Sequence, residues 1–181
     1  MKITPTKVDG VMHIGLMPIE DERGFFARSF CTSFLAEAGH PFEIIQANLS
    51  YNHKAGTLRG MHYQADPQPD PKIVRCEQGA IFDVVVDLRP KSPSYLKWTG
   101  SELTADNGNA LLVPAGCAHG FISLVDESKV LYLMGAPYVA ELARGVRWDD
   151  PAFDIQWPMA PATIHPRDAS YPDYQPEKPL L

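Results

Sequence analysis

The chain is short of cysteine, of positive charge and of long apolar runs, and each shortage excludes something. Its three cysteines, Cys31, Cys76 and Cys117, stand far apart with no C-x-x-C pair. An odd, scattered set builds no disulfide framework and spells no structural zinc site, so each is read as a buried, reduced thiol. Asp, Glu, Lys or Arg breaks every apolar run well before the roughly 18 residues a membrane span needs, so no membrane partner is expected. The opening residues Met1 to Asp9 lack the apolar stretch of a secretion signal, which makes the cytoplasm the expected compartment. A formal net charge of −6 argues against a general nucleic-acid binder. It leaves room for a locally basic pocket that takes an anion.

What is there fits one domain over residues 1–181, with 45% hydrophobic and 21% charged residues, ordinary for a globular protein. The dominant pattern is short extended runs separated by Gly, Pro, Asp and Asn. In residues 81–88, Phe82, Val84, Val86 and Leu88 share one face, and Ile81, Asp83, Val85 and Asp87 the other. That period of two predicts a strand. Similar runs lie near 11–17, 24–30, 42–51, 57–64, 72–77, 95–103, 110–114, 119–125 and 129–134. One short helix is predicted from Ser33 to Ala38, with Thr32 as N-cap and Gly39 just past its end. About ten strands with little helix predict an all-β jelly roll or barrel. From Pro158 onward six prolines crowd 24 residues, too many for a central strand. Tyr171 and Tyr174 suggest that part of this proline-rich segment packs over the barrel. Asp66-Pro67-Gln68-Pro69-Asp70-Pro71 reads like a linker.

Two constellations carry candidate chemistry. The first is Leu58-Arg59-Gly60-Met61-His62-Tyr63-Gln64, followed by Lys72. A histidine titrates near neutrality, so His62 is a natural base, although a structural histidine is the commoner case. Arg59 and Lys72 can hold a phosphate or an enolate oxygen, or stand solvated. Strict alternation would point Arg59 away from His62, so a shared pocket requires a bulge, and Gly60 is the place for it. The second constellation runs from Gly108 to Gly120 with spacing G-x5-P-x-G-x-x-H, ending at His119. It resembles the second half of the cupin signature, which implies a cupin-like jelly-roll barrel. Metal-binding cupins add H-x-H and a carboxylate; here His62-Tyr63-Gln64 stands instead, with no third ligand in place. No metal and no cofactor are therefore expected. Tyr132 sits among apolar residues, where core packing is the plainer reading.

From residue 17 to 172 the chain resembles the dTDP-4-dehydrorhamnose 3,5-epimerase family. The likeness rests on Asp21-Glu22-Arg23-Gly24-Phe25-Phe26, on residues 58–64, on Lys72-Ile73-Val74-Arg75 and on residues 82–89. Residues 114–121 and 145–151 complete it, in order and at the family's intervals. The resemblance implies an isomerase that inverts C3 and C5 of a nucleoside-diphosphate 4-keto-6-deoxyhexose. It implies His62 as base with Asp168 as its carboxylate partner, Tyr132 as acid on the opposite face, and Lys72 on the enolate oxygen. Substrate contacts are implied at Arg23, Arg28, Gln46, Asn48, Arg59, His119 and Tyr138. A homodimer that exchanges its N-terminal region is implied as well. The commonest setting that the resemblance implies is rhamnose supply for surface polysaccharide, and secondary-metabolite sugars need the same chemistry.

The departures fall on recognition. Arg28 stands where the family's base-contacting glutamate is usual, and Ala47 replaces the aspartate of Q-D-N. Residues 133–137 read Leu-Met-Gly-Ala-Pro, and His165-Pro166-Arg167 precedes Asp168 where the family has S-x-K. The proton-transfer set is intact while the nucleotide surface is altered. Inversion of one centre only, or a GDP- or CDP-linked sugar, is thus the near alternative. A metal-dependent cupin enzyme and a non-catalytic sugar-binding module are the distant ones.

Overall fold

The computed structural model describes residues 1–175. Its strands begin with β1 (Lys2–Pro5), β2 (Met12–Gly15), β3 (Ile19–Asp21) and β4 (Gly24–Phe26), before a helix α1 (Thr32–Glu37). Then come β5 (Gln46–Asn52), β6 (Thr57–Gln64), β7 (Lys72–Gln78), β8 (Ala80–Asp87) and β9 (Trp98–Thr104). The chain continues through β10 (Ala110–Val113), β11 (Cys117–Ser123) and β12 (Ser128–Met134). Last are β13 (Ala143–Gly145), β14 (Thr163–Ile164) and a one-turn helix α2 (Pro166–Ala169).

One sheet has the order β1-β2-β10-β7-β12-β5 and the other β13-β6-β11-β8-β9, and their inner faces meet in a cupin-like jelly roll. Alternation explains the layers. Val74 and Cys76 of β7, Leu111 and Val113 of β10 and Val130 of β12 point inward to meet Ile81 and Val85 of β8 and Phe121 of β11. Each such side chain, once buried, contributes about 1.5–3 kcal/mol. The outer faces are apolar too and need covers. Leu35 of α1 and Phe42 lie over Ile14, Ile73 and Leu112 of the first sheet. Residues 146–157 and Tyr174 lie over Met61, Tyr63, Val84 and Val86 of the second. This second cover is why β8 is buried on both faces, as a strand so rich in valine requires.

The tail expectation is met in part. Tyr174 is buried, its hydroxyl 2.9 Å from that of Tyr95, and its N–H donates to Asp150. The tail also joins a sheet, contrary to expectation. Thr163 and Ile164, in the gap between Pro161 and Pro166, pair in parallel with Thr57 and Leu58 of β6. Pro176 and Pro179 lie outside the described residues.

Other expectations need correction. Helix α1 starts at Thr32 and its N-cap is Cys31, which makes no side-chain capping bond. Cys31 is only half-buried, unlike Cys76 and Cys117. The run at 24–30 forms a strand only over Gly24–Phe26, and the run at 42–51 becomes a strand only at Gln46. In the first, Phe25 and Phe26 sit on a two-stranded hairpin and are exposed, so their hydrophobicity reports no inward face.

Candidate active site

At one end of the jelly roll the inward-facing residues change from apolar to polar, and a cavity of about 770 Å³ opens there. The bulge expected at Gly60 creates its floor. Across the β6–β11 pair His62 faces His119 and Arg59 faces Phe121, so β6 carries one residue more than its partner between those points. Arg59 and His62 thereby both line the cavity. Only glycine fits at the bulge: Gly60 has φ +140°, and a Cβ there would meet Gly120 Cα at 2.6 Å.

His62 is fixed by a carboxylate. Its Nε2 lies 2.8 Å from Asp168 Oδ1 on α2, and Asp168 Oδ2 accepts the Gly60 N–H at 3.2 Å. Asp168 is buried. Burial works against its charge, but the His62 ring, the Gly60 N–H and Arg167 outweigh that and hold the carboxyl below its ordinary value. An ionised Asp168 takes the proton on Nε2, so the lone pair of the neutral ring sits on Nδ1. Arg167, which sequence reasoning noted only as a departure, stands 3.3 Å from both Asp168 Oδ1 and His62 Nε2.

Tyr132 rises from β12 in the facing sheet, opposite Asn48 of β5 and Val74 of β7. Burial first, and the Asp83 carboxylate next, push its hydroxyl above the ordinary tyrosine value, against smaller effects of Ser50 and Arg59. Tyr132 is thus a protonated donor at neutral pH. Its ring meets His119 edge-on at 5.9 Å. His119 Nε2 is 2.7 Å from Asp83 Oδ1, both residues being buried. Burial raises the Asp83 carboxyl, opposed by His119 and by Lys72, and its Oδ2 has no hydrogen-bond partner among the described residues. Asp83 went unassigned in the sequence, although an aspartate aligned with Ile81 and Val85 signals a buried polar partner. Lys72 begins β7, shares the inward face of Val74 and pairs with Asp70 at 2.7 Å.

Seven of the expected site residues line the one cavity: Asn48, Arg59, His62, Lys72, His119, Tyr132 and Asp168. Arg59 is held at the rim by Asn52 Oδ1 at 2.8 Å and the Tyr51 carbonyl at 3.2 Å. Tyr138 lines a smaller cavity of about 120 Å³, which His62 and Arg167 also border. Gln46 stays outside both and accepts the Tyr138 N–H at 2.7 Å. Arg23 and Arg28 are not brought in. Arg23 sits exposed on the β3–β4 hairpin, paired with Asp21, and Arg28 is exposed just beyond it. Among the described residues no three His, Cys, Asp or Glu side chains stand together as a metal site.

The chain matches the family dTDP-4-dehydrorhamnose 3,5-epimerase over residues 5–175. A dTDP-4-dehydrorhamnose 3,5-epimerase of Sinorhizobium fredii is 43% identical over 84% of this chain and 78% of its own length. A dTDP-4-dehydrorhamnose 3-epimerase of Streptomyces niveus is 37% identical over 93% of this chain and 81% of its own. The crystal structure of the 3,5-epimerase from Bacillus anthracis, with TDP and pyrophosphate bound, superposes with a TM-score of 0.92. It is 38% identical and covers 96% of this chain and 99% of its own. With the strands, the bulge and the histidine pair all at the intervals the motifs implied, the chain belongs to the dTDP-4-dehydrorhamnose 3,5-epimerase family.

Proposed function

We propose that the protein inverts C3 and C5 of a dTDP-linked 4-keto-6-deoxyhexose by proton transfer between His62 and Tyr132. The observation that carries this is their placement: His62 comes from one sheet and Tyr132 from the facing one, and both line one cavity. A sugar between the sheets shows one ring face to each. Inversion needs such a pair, since a single base returns the proton to the face it left.

His62 Nδ1 removes the proton beside the ketone, and Asp168 stabilises the imidazolium that forms. Both C3 and C5 flank C4, so the same ketone oxygen takes up the charge in either inversion. Lys72, the buried ammonium on the inward face, meets that oxygen. Tyr132 then delivers its proton to the opposite face of the same carbon. After each inversion His62 holds one proton more and Tyr132 one fewer, so the pair resets through solvent water before the next. Arg59 and Asn48 at the rim take the nucleotide diphosphate, and Tyr138 borders the substrate from the smaller cavity.

We also infer a homodimer working in the cytoplasm, with residues 1–181 acting as one domain. Support for the dimer comes from the β3–β4 hairpin, which carries Phe25 and Phe26 exposed at 63% and 76%, and from edge strand β5 with Leu49 at 70%. Arg23 on that hairpin would reach the neighbouring copy's cavity. No helix among the described residues is long and apolar enough to cross a membrane.

Two variants test the chemistry. His62→Ala is expected to lower turnover at least about a hundredfold while the protein folds and binds nucleotide. Tyr132→Phe is expected to exchange a substrate proton with solvent yet invert poorly. A near-normal rate in the first variant overturns the assignment of the base. Loss of exchange in the second makes Tyr132 a binding group.

A further inference from the structure

The stretch Asp66-Pro67-Gln68-Pro69-Asp70-Pro71, linker-like in sequence, is folded against the site. Buried Gln64 donates through Nε2 to the Gln68 carbonyl at 2.5 Å and to the Pro137 carbonyl at 3.1 Å, and its Oε1 accepts the Val139 N–H at 2.8 Å. The Gly135 N–H donates to the Pro71 carbonyl at 2.8 Å. Prolines on both sides of Asp70 restrict its backbone, so its carboxylate projects from a stiff, tethered loop.

That carboxylate spans two elements of the site. Oδ1 accepts the N–H of Gln64, two residues past His62 on β6, at 2.8 Å. Oδ2 lies 2.7 Å from Lys72 Nζ on β7. The two side chains are 12% and 6% exposed, so water does little to screen the pair. Asp70 borders the small cavity and Lys72 the large one, so the ammonium stands between the carboxylate and the large cavity's lining on β7.

We propose that Asp70 is a positioning residue that ties Lys72 to the strand of the base, setting where the ammonium meets the enolate oxygen. This rests on the reading of Lys72 given above. A lysine on a flexible four-carbon stem has many rotamers, and an electrophile displaced by about 1 Å loses much of its effect. Asp70 takes one of the three ammonium hydrogens and leaves two for the sugar. It also balances a cation that burial would otherwise penalise. The other carboxylate acting on Lys72 from the core, Asp83, bonds His119 through Oδ1 and acts on the ammonium by charge alone.

Steady-state kinetics on dTDP-4-keto-6-deoxyglucose with Asp70→Asn, Asp70→Glu, Lys72→Ala and the double variant Asp70→Asn/Lys72→Ala test this. Asparagine still accepts the Gln64 N–H, and urea melts establish that each variant is folded. Asp70→Asn is expected to lower kcat roughly 10–100-fold with KM changed less than about twofold. Asp70→Glu, which keeps the charge, is expected to lose less. In the Lys72→Ala background the Asp70 change is expected to cost nothing further. Normal kcat in Asp70→Asn, or an equal further loss without Lys72, overturns the proposal. Full turnover in Lys72→Ala instead removes the role of Lys72 itself, and the proposal with it.

Discussion

Asp168 does two jobs at once, holding the His62 ring and closing the β6 bulge through the Gly60 N–H. Its carboxyl sits below the ordinary value because these partners outweigh burial. A lowered folded value means that the ionised form favours folding. That contribution is complete above about pH 4, the unfolded aspartate value, and fades as pH falls through the lower folded one. Asp168→Asn is therefore expected to cost about 1–3 kcal/mol in urea unfolding at pH 5. At pH 3 the difference from the parent should shrink, and a difference that persists or grows there contradicts the account. At neutral pH the variant should also be slow, because an amide cannot stabilise the imidazolium.

At the scale of elements, the site depends on one irregular strand. Without the extra residue in β6, Arg59 would turn away from the cavity that His62 lines. Gly60→Ala places a methyl group against Gly120 and the His119 carbonyl in a backbone conformation that alanine resists. A loss of at least about 2 kcal/mol in denaturant unfolding is expected, and unchanged stability would show that the bulge tolerates a side chain. This irregularity was legible in advance, because two cationic or titratable residues on opposite faces flanked a glycine. Most of the long strands were legible as well: one face is largely apolar, and the valine-rich 81–88 run is apolar at six of its eight positions. Short pieces escaped for the opposite reason. Strands β13 and β14 hold three and two residues, too few for a period to show. Asp70 escaped because prolines hide a residue's role behind the look of a linker, and its partners come from β6 and β7 rather than from a local pattern.

At the scale of the molecule, the described residues leave Arg23 and Arg28 outside the cavity, while the hairpin beside them exposes two phenylalanines. The proposed dimer would account for both facts. Phe26→Asp is expected to shift the protein from dimer to monomer in sedimentation velocity and to raise KM, and a parent that sediments as a monomer at micromolar concentration contradicts the dimer. The family fixes the type of reaction, but Arg28 and Ala47 depart from its motifs and line neither cavity of this chain, and specificity is set by side chains and not by the fold. A relative named as a 3-epimerase, 37% identical, falls between relatives named for both centres at 34% and 43%.

In the proposed reaction one histidine and one tyrosine on facing sheets invert both carbons beside the ketone. Proton NMR of dTDP-4-keto-6-deoxyglucose with the enzyme in heavy water tests it most directly. Deuterium is expected to enter at both C3 and C5 at the rate of turnover. Deuterium at one position alone would make the protein a mono-epimerase, and no exchange at either carbon would rule out proton transfer by His62 and Tyr132 on this substrate.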